Sequence, residues 1–290
     1  MALVAPAGPV DADRVRRSEE RCRAFGLEPI VFPSAEARAG YLAGTDAERL
    51  ADLQEAFNRP SIDAVWALRG GYGTLRILDR LDLDRQKRDP IPFIGFSDNT
   101  TILVRHAAIN VVSFHGPHPA GPWSSESEFL FRNLLFSSEP VGKLPTGARD
   151  ASPCTLVPGV AEGPLFGGNL AVLASLCGSR ETPAAKGRVL FLEDVGEPAY
   201  KVDRMLVQLR RAGTFEGVVG LALGRFTQAP DGDEAVGRVI EEFARGIGVP
   251  AVKDLPVGHV DDNWTLPIGT TARLDATAAT LSVTQAAVIT

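Results

Sequence analysis

Four stretches of the sequence carry side chains with the chemistry to act on a substrate. In Ile94-Gly-Phe-Ser-Asp-Asn-Thr-Thr101 an apolar run leads into Ser97, just ahead of a helical pattern. A serine at a strand-to-helix turn exposes its hydroxyl, and the first N–H groups of the helix point at whatever that hydroxyl attacks. Gly95-Phe-Ser-Asp-Asn99 lacks the second glycine of a GxSxG elbow, and Ser97 or Asp98 as a simple helix N-cap fits the same residues. Arg69-Gly-Gly-Tyr-Gly73 follows another apolar run; adjacent glycines there let backbone approach a ligand closely, although a tight turn is the plainer reading. Val189-Leu-Phe-Leu-Glu-Asp-Val-Gly-Glu197 ends a buried run on Glu193 and Asp194, with Glu197 close behind, and the residues alone leave the choice among the three acids open. Leu255-Pro-Val-Gly-His-Val260 sets His259 in a glycine-flanked loop, where an imidazole titrating near neutrality suits a general base. Of the other histidines, His106 falls inside a helical pattern, and His115 and His118 form an HxxH pair that lacks the third ligand of a metal site.

The elements that must position these residues alternate through the first half of the chain. Apolar runs at 2–5, 28–32, 64–68 and 92–96 read as strands. Helical patterns fill 11–25, 46–58 (opened by Thr45), the stretch from Gly73 through Leu81, and 99–108. This βαβα order predicts a mainly parallel sheet covered on both faces. Between about 121 and 163 the periodicity lapses among serines and prolines, which reads as an interdomain connection with a helix near 128–135. Beyond it come strand-like runs at 189–192 and 218–223, helical patterns at 169–176, 203–212 and 233–244, and a closing hairpin of 271–274 with 280–283. The expected class is α/β: a Rossmann-like parallel-sheet N-terminal domain (1–122), a connection (123–162), and a smaller α/β C-terminal domain with a β-rich end (163–290).

With 290 residues, 44% of them hydrophobic, and a net charge of −6, the chain can bury a large core and lacks the basic balance that nucleic acid or an anionic membrane calls for. Cys22, Cys154 and Cys177 are odd in number and form no CxxC pair, so they are expected to be small buried hydrophobes in a reducing compartment. The short apolar start has no basic n-region and no run reaches membrane-spanning length, which points to a cytoplasmic protein.

Taken together, the motifs resemble the LD-carboxypeptidases, serine peptidases related to the microcin-immunity peptidases. The resemblance spans essentially the whole chain. It rests on Val4-Ala-Pro-Ala-Gly-Pro9, Tyr41-Leu-Ala-Gly-Thr-Asp46, Arg69-Gly-Gly-Tyr-Gly73, Gly95-Phe-Ser-Asp98, His115-Gly-Pro117, Gly167-Gly-Asn-Leu170, Leu192-Glu-Asp-Val-Gly-Glu197 and Gly258-His259, in that order.

The resemblance implies a triad of Ser97 as nucleophile, His259 as base and Glu193, rather than Asp194 or Glu197, behind it. It also implies an oxyanion hole of backbone N–H groups, here those of Asp98 and Gly71. Arg69, Tyr72 and Asn169 are the candidate substrate-binding side chains, with Arg69 for a substrate carboxylate, although an arginine at a strand end serves equally as a structural ion-pair partner. No cofactor and no metal are expected. The implied activity is release of terminal D-alanine from murein tetrapeptides by a homodimer. The alternatives are hydrolysis of a microcin-type peptidyl-nucleotide amide and a non-catalytic Rossmann-like binding protein.

Overall fold

Wholly apolar triplets make the inner strands of the first half of the molecule, because a parallel strand covered on both faces has no solvent side on which to place polar residues. The computed structural model describes residues 1–145 and 152–289, which pack as two units, Met1–Pro122 and Trp123–Thr290. In the first, the order is β1 (Ala2–Val4), α1 (Ala12–Ala24), β2 (Ile30–Val31), α2 (Asp46–Asn58), β3 (Val65–Ala67), α3 (Asp84–Arg88), β4 (Phe93–Gly95), α4 (Thr100–Ala108) and β5 (Ser113–His115). Every residue of β1, β3 and β4 is buried.

These five strands lie in the order β2-β1-β3-β4-β5, all parallel. The order reverses between β1 and β3, the place where open parallel sheets bind ligands, and here the loops leaving those two strands are joined by Gly8 N donating to Gly70 O at 3.2 Å. Local signals set the helix starts. Asp11 accepts from Arg14 N at 2.7 Å to cap α1, and Thr45 with Glu48 forms a reciprocal capping box on α2.

One expected helix is replaced. The stretch from Gly73 to Leu81 forms two 3₁₀ turns, Thr74–Arg76 and Leu78–Arg80, instead of an α-helix. Its first turn is held from outside: Thr74 bonds to Asp98, and Arg76 Nε bonds to Asp46 at 2.8 Å. Those tertiary anchors override the helical spacing of the apolar residues.

The second unit contains α5 (Ser125–Leu135), β6 (Gly142–Lys143), β7 (Cys154–Val157), β8 (Val160–Asn169), α6 (Leu170–Ser175), β9 (Val189–Val195), α7 (Ala199–Arg211), β10 (Gly220–Thr227), α8 (Asp233–Ile247), β11 (Ala251–Lys253), β12 (Leu266–Ile268), β13 (Thr271–Asp275) and β14 (Thr280–Val283). Its main sheet runs β6-β14-β13-β8-β9-β10-β11-β7. The central four, β8 to β11, are parallel, and antiparallel strands close both sides. The β13–β14 hairpin forms the β-rich end.

The described part of 123–162 supplies α5, β6, β7 and the start of β8 and packs with this unit, while 146–151 of that stretch lies outside the described residues. Helices α7 and α8 cover the sheet with Val202, Leu206 and Leu209, and with Val236, Ile240 and Ala244. Of the three cysteines, Cys22 is buried, with burial pushing its thiol up to about 11. Cys154, expected inside, is exposed because β7 is an outermost strand.

Candidate active site

In the first unit, β4 delivers the chain to Ser97 at φ 63, a left-handed conformation that a residue with a Cβ rarely adopts. The 3₁₀ turn Ser97–Asn99 then feeds α4. This is the backbone of a nucleophile elbow: the strained turn lifts the hydroxyl out, and Ser97 is half-buried while the residues on either side are buried. The loop after β3 closes on it. A Cβ at Gly70 would lie 2.8 Å from Ser97 Cβ, 3.0 Å from its Oγ and 3.3 Å from Asp98 N. Only glycine lets these two backbones come so close. Gly71, next along at φ 117, is exposed.

Asp98 holds this arrangement together. Its buried carboxylate accepts from Thr74 N at 2.9 Å and Thr74 Oγ1 at 2.8 Å, and Thr101 Oγ1 donates to Thr74 Oγ1 at 2.8 Å. Burial raises its pKa, and the Thr74 donors oppose the rise. Asn99 Nδ2 adds bonds to Arg69 O and Phe96 O at 3.2 and 3.1 Å. Below the loops sits Arg49, fully buried. It donates to Pro6 O, to Gly73 O at 2.9 Å and to Asp46 Oδ1 at 2.5 Å, which ties the loops after β1 and β3 to α2.

In the second unit strand alternation gives the two adjacent acids different partners. Neighbouring residues of β9 face opposite sides of the sheet. Glu193, with no exposed surface, places Oε2 2.8 Å from His259 Nδ1, whereas Asp194 accepts from Asn169 Nδ2, Ala171 N and Val195 N at 2.9, 2.9 and 2.8 Å and pins the start of α6. Burial first, then the Glu193 charge, raises the Asp194 pKa to about 6, opposed by those three donors. Glu197 pairs with Lys201 at 3.3 Å.

His259 follows Gly258 at φ 117, where a Cβ would lie 2.6 Å from Glu193 Oε2. Asn263 Oδ1 accepts from Gly258 N at 2.9 Å, and Thr227 Oγ1 donates to His259 O at 3.3 Å. Burial lowers the imidazole pKa, but the Glu193 hydrogen bond and the charges of Glu193 and Asp194 outweigh it and leave a net rise above 6.5.

The structure therefore brings Ser97, Asp98 and Gly70-Gly71 together in one unit, and Glu193 and His259 together in the other. Arg69, half-buried, donates to Pro9 O at 2.9 Å. Tyr72 is exposed beside Tyr41, while Asn169 caps α6 and joins the group around Asp194. His106 is fully buried and stacked on Phe93, and His115 and His118 pack on Phe96. Among the described residues, no group of three or more His, Cys, Asp or Glu side chains is placed to hold a metal ion. Arg49, Thr74, Thr101 and Asn263 support the site without having stood out in the sequence. Arg49 in particular sits in a charged helix that reads as solvated, and nothing in that spacing marks it as buried.

Comparison with known proteins identifies the family of both halves of the chain. Residues 1–116 match the LD-carboxypeptidase N-terminal domain, and residues 162–274 match the LD-carboxypeptidase C-terminal domain. The murein tetrapeptide carboxypeptidase of Pseudomonas aeruginosa is 37% identical over 95% of this chain and 92% of its own. The crystal structure of the muramoyltetrapeptide carboxypeptidase from Oxalobacter formigenes is 31% identical, with a TM-score of 0.80 over 97% of this chain and 96% of its own. An MccF-like protein from Bacillus anthracis shares the fold at 22% identity, with a TM-score of 0.87 over 98% and 96% of the two chains. The chain belongs to the LD-carboxypeptidase family.

Proposed function

We propose that the protein is a serine peptidase that releases terminal D-alanine from murein tetrapeptides through a Ser97–His259–Glu193 triad. The observation that carries the reading is the 2.8 Å bond between His259 Nδ1 and Glu193 Oε2. It leaves Nε2 as the nitrogen that accepts a proton and gives the imidazolium a buried counter-charge.

His259 takes the Ser97 proton as Oγ adds to the carbonyl carbon of the L,D amide bond. The oxyanion accepts hydrogen bonds from the N–H groups of Asp98 and Gly71. Collapse breaks the C–N bond, and the imidazolium gives its proton to the leaving amine of D-alanine. Water, deprotonated by the same imidazole, then releases the tripeptide from the acyl-enzyme. Support comes from the Ser97 elbow, from the Gly70 backbone held against it, and from family membership. Membership extends the reading to a homodimer working in the cytoplasm on recycled wall fragments, which sedimentation of the purified protein tests.

The decisive experiment is incubation with murein tetrapeptide, with mass spectrometry for tripeptide and free D-alanine. A fluorophosphonate should label Ser97, and Ser97→Ala should lower kcat at least about a thousandfold. Absence of D-alanine release, or a Ser97→Ala variant keeping more than about a tenth of the rate, overturns the reading, since triad losses run far larger. Cleavage of a peptidyl-nucleotide amide but not of the tetrapeptide would transfer the chemistry to the microcin-type substrate.

A further inference from the structure

Beside Ser97, on the same loops, lies a group of side chains that the chemistry above does not use. Tyr41 is 65% exposed and Tyr72 47% exposed, and their ring centroids are 5.9 Å apart. Large aromatic rings in this chain are otherwise mostly buried, and two that lie against each other in the open, tilted at 53°, form a ready apolar face. Arg76 stands next to them. Its Nε is held by both oxygens of Asp46, at 2.8 and 3.1 Å, and Asp46 is in turn held by the buried Arg49. That anchor fixes the guanidinium by one edge. Among the described residues its Nη groups and the two phenol hydroxyls make no hydrogen bond. The Asp46 hydrogen bond, then the Asp46 charge, keep Arg76 more basic than usual, and both phenols lie within electrostatic reach of it.

The position relative to Ser97 follows from the chain. Thr74, midway between Tyr72 and Arg76, is bonded to Asp98, and Gly70, two residues before Tyr72, touches Ser97. Two residues span at most about 7 Å, so a ligand on Ser97 extends past the Tyr72 ring within a few bonds. The Tyr41 loop is tied to the same edge by Ala43 N donating to Ala7 O at 3.0 Å.

We propose that Tyr41, Tyr72 and Arg76 form a specificity subsite that binds a substrate carboxylate. Held through Nε, the guanidinium turns its Nη edge to the ligand for paired N–H···O bonds, the phenols add O–H donors, and the rings cover the aliphatic stem that carries the carboxylate. The inference rests on Ser97 being the nucleophile. The carboxylate comes either from the terminus of the leaving residue or from the side chain of the residue that donates the acyl group, as in diaminopimelate.

Steady-state kinetics of wild type and Arg76→Gln on three tetrapeptides separates these. One carries diaminopimelate at the third position, the second replaces it with lysine, and the third is the diaminopimelate peptide with a C-terminal amide. Arg76→Gln should raise KM for the first about tenfold and leave kcat within about threefold, the size expected for one charge-assisted pair. Loss of that penalty on the lysine peptide assigns the side-chain carboxylate, and loss on the amide assigns the terminal one. An equal effect on all three peptides, or none, overturns the subsite while leaving the proposed reaction standing. A wild type that cleaves no peptide overturns both. Tyr41→Ala and Tyr72→Ala, whose rings are exposed, carry the same test through KM should Arg76→Gln fail to fold.

Discussion

In the proposed mechanism the imidazole of His259 must be neutral to accept a proton from Ser97, so its pKa would set the acid limb of activity. Burial depresses it, and Glu193 and Asp194 more than restore it, so kcat/KM should climb with pH to a midpoint above 6.5. Glu193→Gln removes the hydrogen-bonded charge and leaves burial in command. The variant should fold and lose most of its turnover, and its midpoint should move to lower pH. An unmoved midpoint would remove Glu193 from the dyad. The same shift has a thermodynamic face. Because folding raises this pKa, the stabilisation from the pair is complete below the unfolded value near 6.5 and fades as pH rises through the folded one. Asp194→Asn should behave differently. It replaces an acceptor that serves three donors with an amide that presents N–H to one of them, costing about 1–3 kcal/mol of stability. Thermal melts should show the loss, while turnover suffers far less than in Glu193→Gln. Local sequence does not separate the two adjacent acids, because what distinguishes them is their distant partners, His259 for Glu193 and Asn169 with Ala171 N for Asp194.

Two glycines are element-scale determinants of the site. At Gly70 a methyl group would press on the Ser97 side chain and on Asp98 N, so Gly70→Ala should keep its circular dichroism and lose at least about a hundredfold in kcat, the scale of a disturbed oxyanion donor. At Gly258 the added Cβ meets the Glu193 carboxylate, and φ 117 is unfavourable besides, so Gly258→Ala should lose both activity and the raised His259 pKa, read by NMR titration of the imidazole. Elements with local punctuation were legible: Thr45 announced α2, and Asp11 announced α1. The start of α7 at Ala199, ahead of the expected 203, was not, because its first turn exposes Tyr200 and buries Val202 alone. The two 3₁₀ turns after Gly73 escaped for another reason. Asp46 and Asp98, distant in sequence, decide their shape.

Across the whole molecule, the parallel sheet of the first unit was readable because each buried strand is a continuous apolar run between helices. The mixed sheet of the second unit was less so. β6 pairs with β14 and β7 with β11 across many intervening residues, and short strands among prolines leave no period to follow. A serine mechanism makes one prediction about the protein in bulk, that dialysis against EDTA leaves the rate of D-alanine release unchanged. Loss with chelator and recovery with zinc would replace the serine with a metal. The left-handed turn at Ser97 also bears on the melting temperature. A side chain in that conformation costs about 1–2 kcal/mol that glycine does not incur. Ser97→Gly should therefore melt above Ser97→Ala, and no lower than the wild type, though both variants are inactive. With Ser97 as the proposed nucleophile, the protein would be less durable than its own dead variant, resistance to heat being surrendered at the residue where the reaction would begin.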